Sequence, residues 1–218
     1  MSLLNLLAPR RVDRGPRPVR PPAPAGGEPV FATKALRKFL SCLEGPDAPV
    51  LLDLGPVVGN NVSFFGERLG CKILVEDLFA DLDRHVRTGA LNAFPGFLQT
   101  RLTHHAGRVH GVLCWDFIDF LDRPSAQILA GELTRLLCPS GALLAFFSTA
   151  STRDARYTKF VIVDEAHMRH RVYPAPRPRQ ANMPNRDILR LFSGLLVADS
   201  FLLQNNQREM LFRKPASA

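Results

Sequence analysis

Disulfide chemistry, metal chelation and membrane insertion all lack the residues they need here. The 218 residues include four cysteines, Cys42, Cys71, Cys114 and Cys138, with no two close in sequence. No Cys-x-x-Cys redox or zinc module can be drawn from them, and no metal site is expected. They lie in or beside apolar segments, which reads as reduced, buried thiols in a cytoplasmic protein. No apolar run reaches the roughly 20 residues of a membrane-spanning helix. The opening Met1–Leu7 is short, and its arginines follow the apolar residues rather than precede them, the wrong order for a secretory leader. The Gly-x-Gly-x-x-Gly fingerprint of dinucleotide enzymes is missing, as is the Asn-Pro-Pro-Tyr of some nucleic-acid and protein methylating enzymes. Only one tryptophan is present, Trp115.

What is present is enough apolar composition, 46% of the chain, for a single domain with a full core. The net charge of +8 is unevenly spread. Between Arg10 and Arg20 five arginines face one aspartate, giving 5 − 1 = +4. Residues 8 to 29 are rich in proline and arginine and poor in apolar side chains, so residues 1–29 read as a disordered arm. A basic arm can bind nucleic acid, but a solvated tail is the favoured reading.

The centre of the chain is Val50–Asn61. Val50 to Leu54 is apolar apart from Asp53, the pattern of a parallel strand buried on both faces. A turn holding Gly55 and Gly59 follows, then a helix over 62–69 with Asn60 or Asn61 as its cap. Strand, glycine turn and helix form the nucleotide-binding corner of an open α/β sheet, where ligands sit outside the carboxyl ends of the strands. Ile73 to Val75 is a second strand ending in Glu76 and Asp77. An acid about 20 residues past the glycine turn suits the two ribose hydroxyls, and strand alternation leaves one of this pair facing the ligand.

The Asp-x-Gly-x-x-x-Gly spacing of Asp53, Gly55 and Gly59 resembles motif I of the class I S-adenosylmethionine-dependent methyltransferases. That family usually carries a further glycine where Val57 stands, between Pro56 and Val58. A β-branched residue resists positive φ, so this turn departs from the family's at Val57. Val109 to Asp116 resembles the family's motif IV, a strand running into the active-site loop, and Leu133 to Phe147 resembles the helix, proline-glycine turn and strand that follow. The resemblance spans residues 32 to 214. It implies a Rossmann-like three-layer α/β sandwich with a mostly parallel seven-stranded sheet, closed by an antiparallel hairpin strand. It also implies S-adenosylmethionine as cofactor, held by Asp53, Gly55, Pro56, Gly59, Glu76 or Asp77, Trp115 and Asp116. Trp115 could equally stack on a ligand or cap the core.

The remaining chain fits that frame. Leu36, Phe39, Leu40 and Leu43 mark a leading helix. Leu78 to Arg87 reads as a helix, and residues 97–102 as a short third strand. Pro124 starts a helix, and 142–147 is the fifth strand. Residues 148–186 form an insertion into the domain of 30–218, with strands over 156–163 and 168–173 and a proline-rich loop. A short helix starts behind Asn185 as its cap, and strands over 197–203 and 209–213 close the sheet. Methyl transfer requires no fixed catalytic set, because the cofactor is already activated. Asp116, Asp119 and the histidines, His104 and His105 among them, are candidate bases. The function implied is methyl transfer to an unknown, small-molecule acceptor. The alternative is a non-catalytic protein of this fold that binds or regulates.

Overall fold

The computed structural model describes residues 28–102, 107–150, 155–180 and 182–216. The arm before Glu28, with its possible nucleic-acid role, and His104 and His105 lie outside the described residues.

Six strands make the central sheet. Strand β2 (Val50–Asp53) leads through α2 (Gly59–Leu69) to β3 (Lys72–Val75) and α3 (Leu78–Arg87). Helix α4 (Phe94–Arg101) precedes β4 (Val109–Trp115), then come α5 (Arg123–Leu136) and β5 (Leu137–Ser148). Helix α6 (Asn185–Leu191) leads to β8 (Leu196–Leu202) and β9 (Gln207–Arg213). The spatial order is β3-β2-β4-β5-β9-β8. Strands β3, β2, β4 and β5 run parallel, while β9 is antiparallel to β5 and to β8. The turn between β8 and β9 uses Asn206 at φ 57°, the left-handed geometry an asparagine tolerates. This is an open, Rossmann-like α/β sheet, parallel in four strands and closed at one edge by an antiparallel hairpin.

A second, three-stranded antiparallel sheet joins β1 (Val30–Ala32) to the hairpin of β6 (Arg156–Asp164) and β7 (His167–Pro174). The hairpin lies where the sequence places it. Two apolar cores sandwich the main sheet. One holds Leu52, Leu54, Val112 and Cys114 against α3, α4, α5 and α6. The other holds Leu51, Leu113, Trp115, Leu144 and Phe146 against α1 (Ala35–Ser41), Phe65 of α2, and Phe160 and Ile162 of β6. Residues 51 to 54 thus send alternate side chains into different cores, as a doubly buried strand must.

The sheet has six strands rather than seven, because residues 97–102 are not a strand. Residues 97–101 belong to α4 and Leu102 is its C-cap; Phe94 and Leu98 are buried one turn apart and Pro95 sits in the first turn, its missing N–H costing nothing there. Two expected helix caps also differ. Helix α2 starts earlier, at Gly59, and neither asparagine side chain caps it. Asn61 donates from Nδ2 to the Phe160 carbonyl (2.8 Å), and its Oδ1 accepts from the Ile162 N–H (2.8 Å). Asn185 lies inside α6, where its Oδ1 accepts from Arg208 (3.0 Å). In both cases a tertiary partner outcompetes the local cap.

Glu28 and Pro29 dock on β7. The Pro29 carbonyl accepts from the His170 N–H (3.0 Å), and Glu28 takes Arg171 (2.8 Å) and Arg169 (3.7 Å). No helix among the described residues is long and apolar enough to cross a membrane.

Candidate functional site

The chain leaves β2 toward β3 on one side and later returns to β4 on the other. The crevice outside the carboxyl ends of β2 and β4 is therefore the switch point at which open α/β sheets bind ligands. Asp53 ends β2 at this crevice, and Trp115 ends β4.

The crevice is filled by the protein itself. Trp115 Nε1 donates to Asp53 Oδ1 at 2.6 Å, and the Gly55 N–H donates to the same oxygen at 2.9 Å. The indole stacks on Phe160 of the hairpin, with centroids 5.3 Å apart and planes within 8°. A Cβ on Gly55 would lie 2.8 Å from the indole Cδ1. The close approach that Gly55 permits is thus made by Trp115. Trp115 adopts φ 52°, a left-handed conformation that a bulky residue rarely holds, and the β4–β5 register shifts between Leu113 and Trp115. Burial pushes the Asp53 carboxyl up to about 6, against the hydrogen bonds from Trp115 and Gly55 that favour its charged form.

Gly59 opens α2, and a Cβ there would meet nothing within 4 Å. Its place needs no glycine on steric grounds. Val57 is 66% exposed and is not among the positive-φ residues, so the turn does not use the left-handed backbone that a glycine there would permit.

The two acids after β3 have different surroundings. Glu76 is buried and ion-paired with Arg101 of α4. Asp77 accepts the Ala80 N–H at 3.0 Å as the cap of α3, and it lines an open cleft of about 260 Å³. Pro56, Asp83, Tyr157, Lys159 and Pro176 also line that cleft. Tyr157 stacks on Phe79 at 4.6 Å, and Lys159 lies over the Tyr173 ring at 4.7 Å.

Asp116 is fully buried beside the crevice. Its Oδ2 takes Arg179 at 2.5 Å, while Asp119 Oδ2 takes the same guanidinium at 2.7 Å and the Ser148 N–H at 2.8 Å. Burial raises both carboxyls, Asp119 to about 7, with Arg179 opposing the shift. Arg179 lines a second cleft of about 280 Å³ with Phe31, Ser148, Thr158 and His170. Burial lowers His170 to about 4, so its ring is neutral at pH 7.

Of the residues expected to hold a cofactor, Pro56 and Asp77 meet at one cleft, and Asp53, Gly55 and Trp115 meet in the crevice. Glu76 and Asp116 are engaged by arginines from α4 and the proline-rich loop. Tyr157, Lys159, Phe160, Arg179 and Asn61 complete the edge. Sequence reasoning names Asn61 only as a helix cap and does not single out the other four, whose signal is that the insertion after β5 must cover something. Among the described residues no group of three His, Cys, Asp or Glu side chains could hold a metal ion.

The fit to S-adenosylmethionine is divided. A cleft of about 260 Å³ lies below the roughly 300 Å³ at which pockets for drug-sized ligands begin. Asp77 in its wall accepts the Ala80 N–H through Oδ1, which leaves Oδ2 as the oxygen that could take a ribose hydroxyl. Gly55, where the rest of the cofactor would approach, is covered by the indole.

No protein-family profile and no curated protein matches the sequence. Among solved structures, the chain is similar to 1,6-didemethyltoxoflavin-N1-methyltransferase of Burkholderia thailandensis, which contains S-adenosylhomocysteine. The identity is 15%, over 83% of this chain and 78% of that one, with TM-score 0.48. A S-adenosylmethionine-dependent methyltransferase of Methanosarcina mazei matches at 11% identity, over 79% and 95%, with TM-score 0.49. The [4+2]-cyclase SpnF matches at 12% identity, over 84% and 82%, also with TM-score 0.49.

Proposed function

We propose that this chain binds S-adenosylmethionine at the carboxyl edge of its sheet and transfers the methyl group to a small-molecule acceptor. The observation that carries this reading is the cleft outside the ends of β2 and β3, with Asp77 in its wall beside Pro56. A carboxylate there can accept hydrogen bonds from both ribose hydroxyls. When bound, the cofactor supplies an activated methyl, so the chain has to hold, orient and exclude water rather than activate.

The test is a titration of the purified full chain with S-adenosylmethionine to millimolar concentration, with NAD as control. A ligand that binds only the folded state stabilises it by about 2.7 kcal/mol at a hundredfold excess over Kd, which is visible as a rise in Tm. A rise with S-adenosylmethionine and none with NAD is expected, and Asp77→Ala should diminish it. Transfer of a labelled methyl group to an acceptor completes the reading. No rise in a folded, ligand-free protein would sink it.

A second reading has its own observation. The Trp115–Asp53 hydrogen bond and the Phe160 stack occupy the crevice in which methyl transfer would take place. A protein that keeps this arrangement is a non-catalytic binding or regulatory module on the same fold. Binding of the cofactor without transfer to any acceptor would favour it.

A further inference from the structure

We propose that the cleft beside Arg179 is a second ligand site, built for an uncharged polyhydroxyl compound about the size of one sugar ring. The proposal goes beyond the methyltransferase reading and does not rest on it. The two clefts lie on opposite sides of β6. Tyr157 and Lys159 line the one beside Asp77, and Thr158, between them in the strand, lines this one.

The cleft is marked by polar groups that the protein leaves unpaired. Asn205, in the turn between β8 and β9, has its Oδ1 buried without a hydrogen-bond partner. Such an atom costs stability unless something donates to it. His170 presents an imidazole held between Phe31, with centroids 4.4 Å apart, and Phe160, at 4.8 Å. Among the described residues nothing hydrogen-bonds to that ring. Arg179 carries more N–H groups than the two that Asp116 and Asp119 take. Phe31 and Val172 add apolar surface on which the C–H face of a ring can rest.

The chemistry of these groups selects the ligand. A neutral imidazole offers one N–H and one acceptor nitrogen, an amide offers both kinds, and a guanidinium only donates. A hydroxyl donates and accepts, so it satisfies Asn205 whichever way round the amide stands. A carboxylate or phosphate only accepts. It would leave Asn205 Oδ1 unpaired and would approach Asp116 and Asp119 behind the guanidinium. An ammonium only donates, and it would meet Arg179, the one charged side chain among the described residues that line the cleft. Neighbouring charges are engaged elsewhere: Glu28 with Arg169 and Arg171, Arg208 with Asn185, and Lys34 over the Phe201 ring. At about 280 Å³ the cleft falls short of the roughly 300 Å³ at which pockets for drug-sized ligands begin, which suits one ring rather than several.

The experiment is ligand-observed NMR on the full chain with glucose, mannose, galactose, ribose and myo-inositol, followed by titration of those that bind. Gluconate and glucosamine are the charged counterparts. At least one neutral compound should bind, about tenfold more tightly than either charged one. The His170 ring resonances should shift as it binds. Asn205→Leu should weaken that binding at least about tenfold while its Tm equals or exceeds that of the wild type, because the orphan acceptor is gone. A residue present only for the fold would lose stability instead. His170→Phe keeps a ring between Phe31 and Phe160 and should weaken binding likewise. Binding of no neutral compound, or tighter binding of gluconate or glucosamine, overturns the proposal. So does binding that survives both variants, or that leaves the His170 resonances in place, since either puts the ligand elsewhere. The resonances are read on the wild type, so they decide even where a variant fails to fold.

Discussion

Trp115 and Asp53 are joined across the switch point of the sheet by a buried 2.6 Å hydrogen bond from indole to carboxylate. The bond ties the end of β4 to the end of β2, the two strands between which a ligand of this fold is expected. It also places an ionisable group in a site with almost no water.

That placement makes stability depend on pH in a defined direction. The Asp53 carboxyl is raised by burial from its ordinary range to about 6. Between about pH 4 and 6 the folded state therefore holds a proton that the unfolded state has released. Folding is favoured at the acid end, and this contribution is lost as the pH rises through 6. A shift of about two pH units corresponds to about 3 kcal/mol. Asp53→Asn accepts the same two hydrogen bonds but does not titrate. Urea unfolding at pH 4 and pH 7 should show the wild type losing up to about 3 kcal/mol relative to Asp53→Asn. Parallel profiles for the two proteins would mean that burial does not raise the Asp53 carboxyl.

The hairpin should depend on Asn61. Its amide satisfies the Phe160 carbonyl and the Ile162 N–H on the edge of β6 that faces away from β7. Asn61→Ala leaves two backbone groups of β6 unpaired, at a cost of about 2–3 kcal/mol. The loss should localise to the hairpin, so hydrogen exchange at Phe160 to Ile162 should accelerate more than exchange in β4. Uniform acceleration would place Asn61 in the global core instead.

The inner strands are legible in the chain because they are buried on both faces and stand out as short apolar runs, as Val50–Leu54 and Val109–Trp115 do without help from distant residues. Ile73–Val75 is also a short apolar run, although at the sheet edge it is only half-buried. The hairpin and the closing strands are legible from alternation and turn residues such as Asn206. Residues 97–102 mislead because a short apolar run does not reveal its period. Only Phe94, outside the run, pairs with Leu98 to mark a helical face. The site is less legible. Asp53, Gly55 and Trp115 stand out, but that they satisfy one another depends on the crossing of β2 and β4. Asn61 looks like a cap until β6 arrives with two better partners. Arg179 gives no local sign of its role, since its two carboxylates lie about sixty positions earlier in the chain.

Truncation should find the working boundary of the domain before Glu28. Glu28 bridges Arg169 and Arg171, and the Pro29 carbonyl holds the His170 N–H. A chain beginning at Gly27 should melt with the full-length protein, because the arm has too little apolar surface to offset its ordering. A chain beginning at Val30 should melt lower. A drop on removing residues 1–26 alone would show that the arm docks, and loss of salt-sensitive nucleic-acid binding with it would give the arm that role.

Arg179 should be the most sensitive single position outside the core. Its guanidinium is the shared partner of Asp116 and Asp119, both buried. Arg179→Met keeps much of the side-chain volume and leaves two carboxylates to face each other across the gap. Breaking a buried pair from one side costs about 3–5 kcal/mol, because an uncompensated charge remains. The cost should vary with pH in a known direction. Burial already holds Asp119 near 7, with the guanidinium opposing the rise, so removing the guanidinium pushes the carboxyls higher still. Below that range the variant is neutralised by protons and its deficit shrinks. Above it the acids are driven to ionise without a partner, and the deficit grows. Unfolding at pH 5 and pH 8 should therefore show a larger gap between wild type and Arg179→Met at pH 8. Adding Asp119→Asn should restore part of the loss at pH 8 and little at pH 5. A gap independent of pH would mean that the loss comes from packing on Phe120, over which the guanidinium also lies at 4.7 Å, rather than from charge.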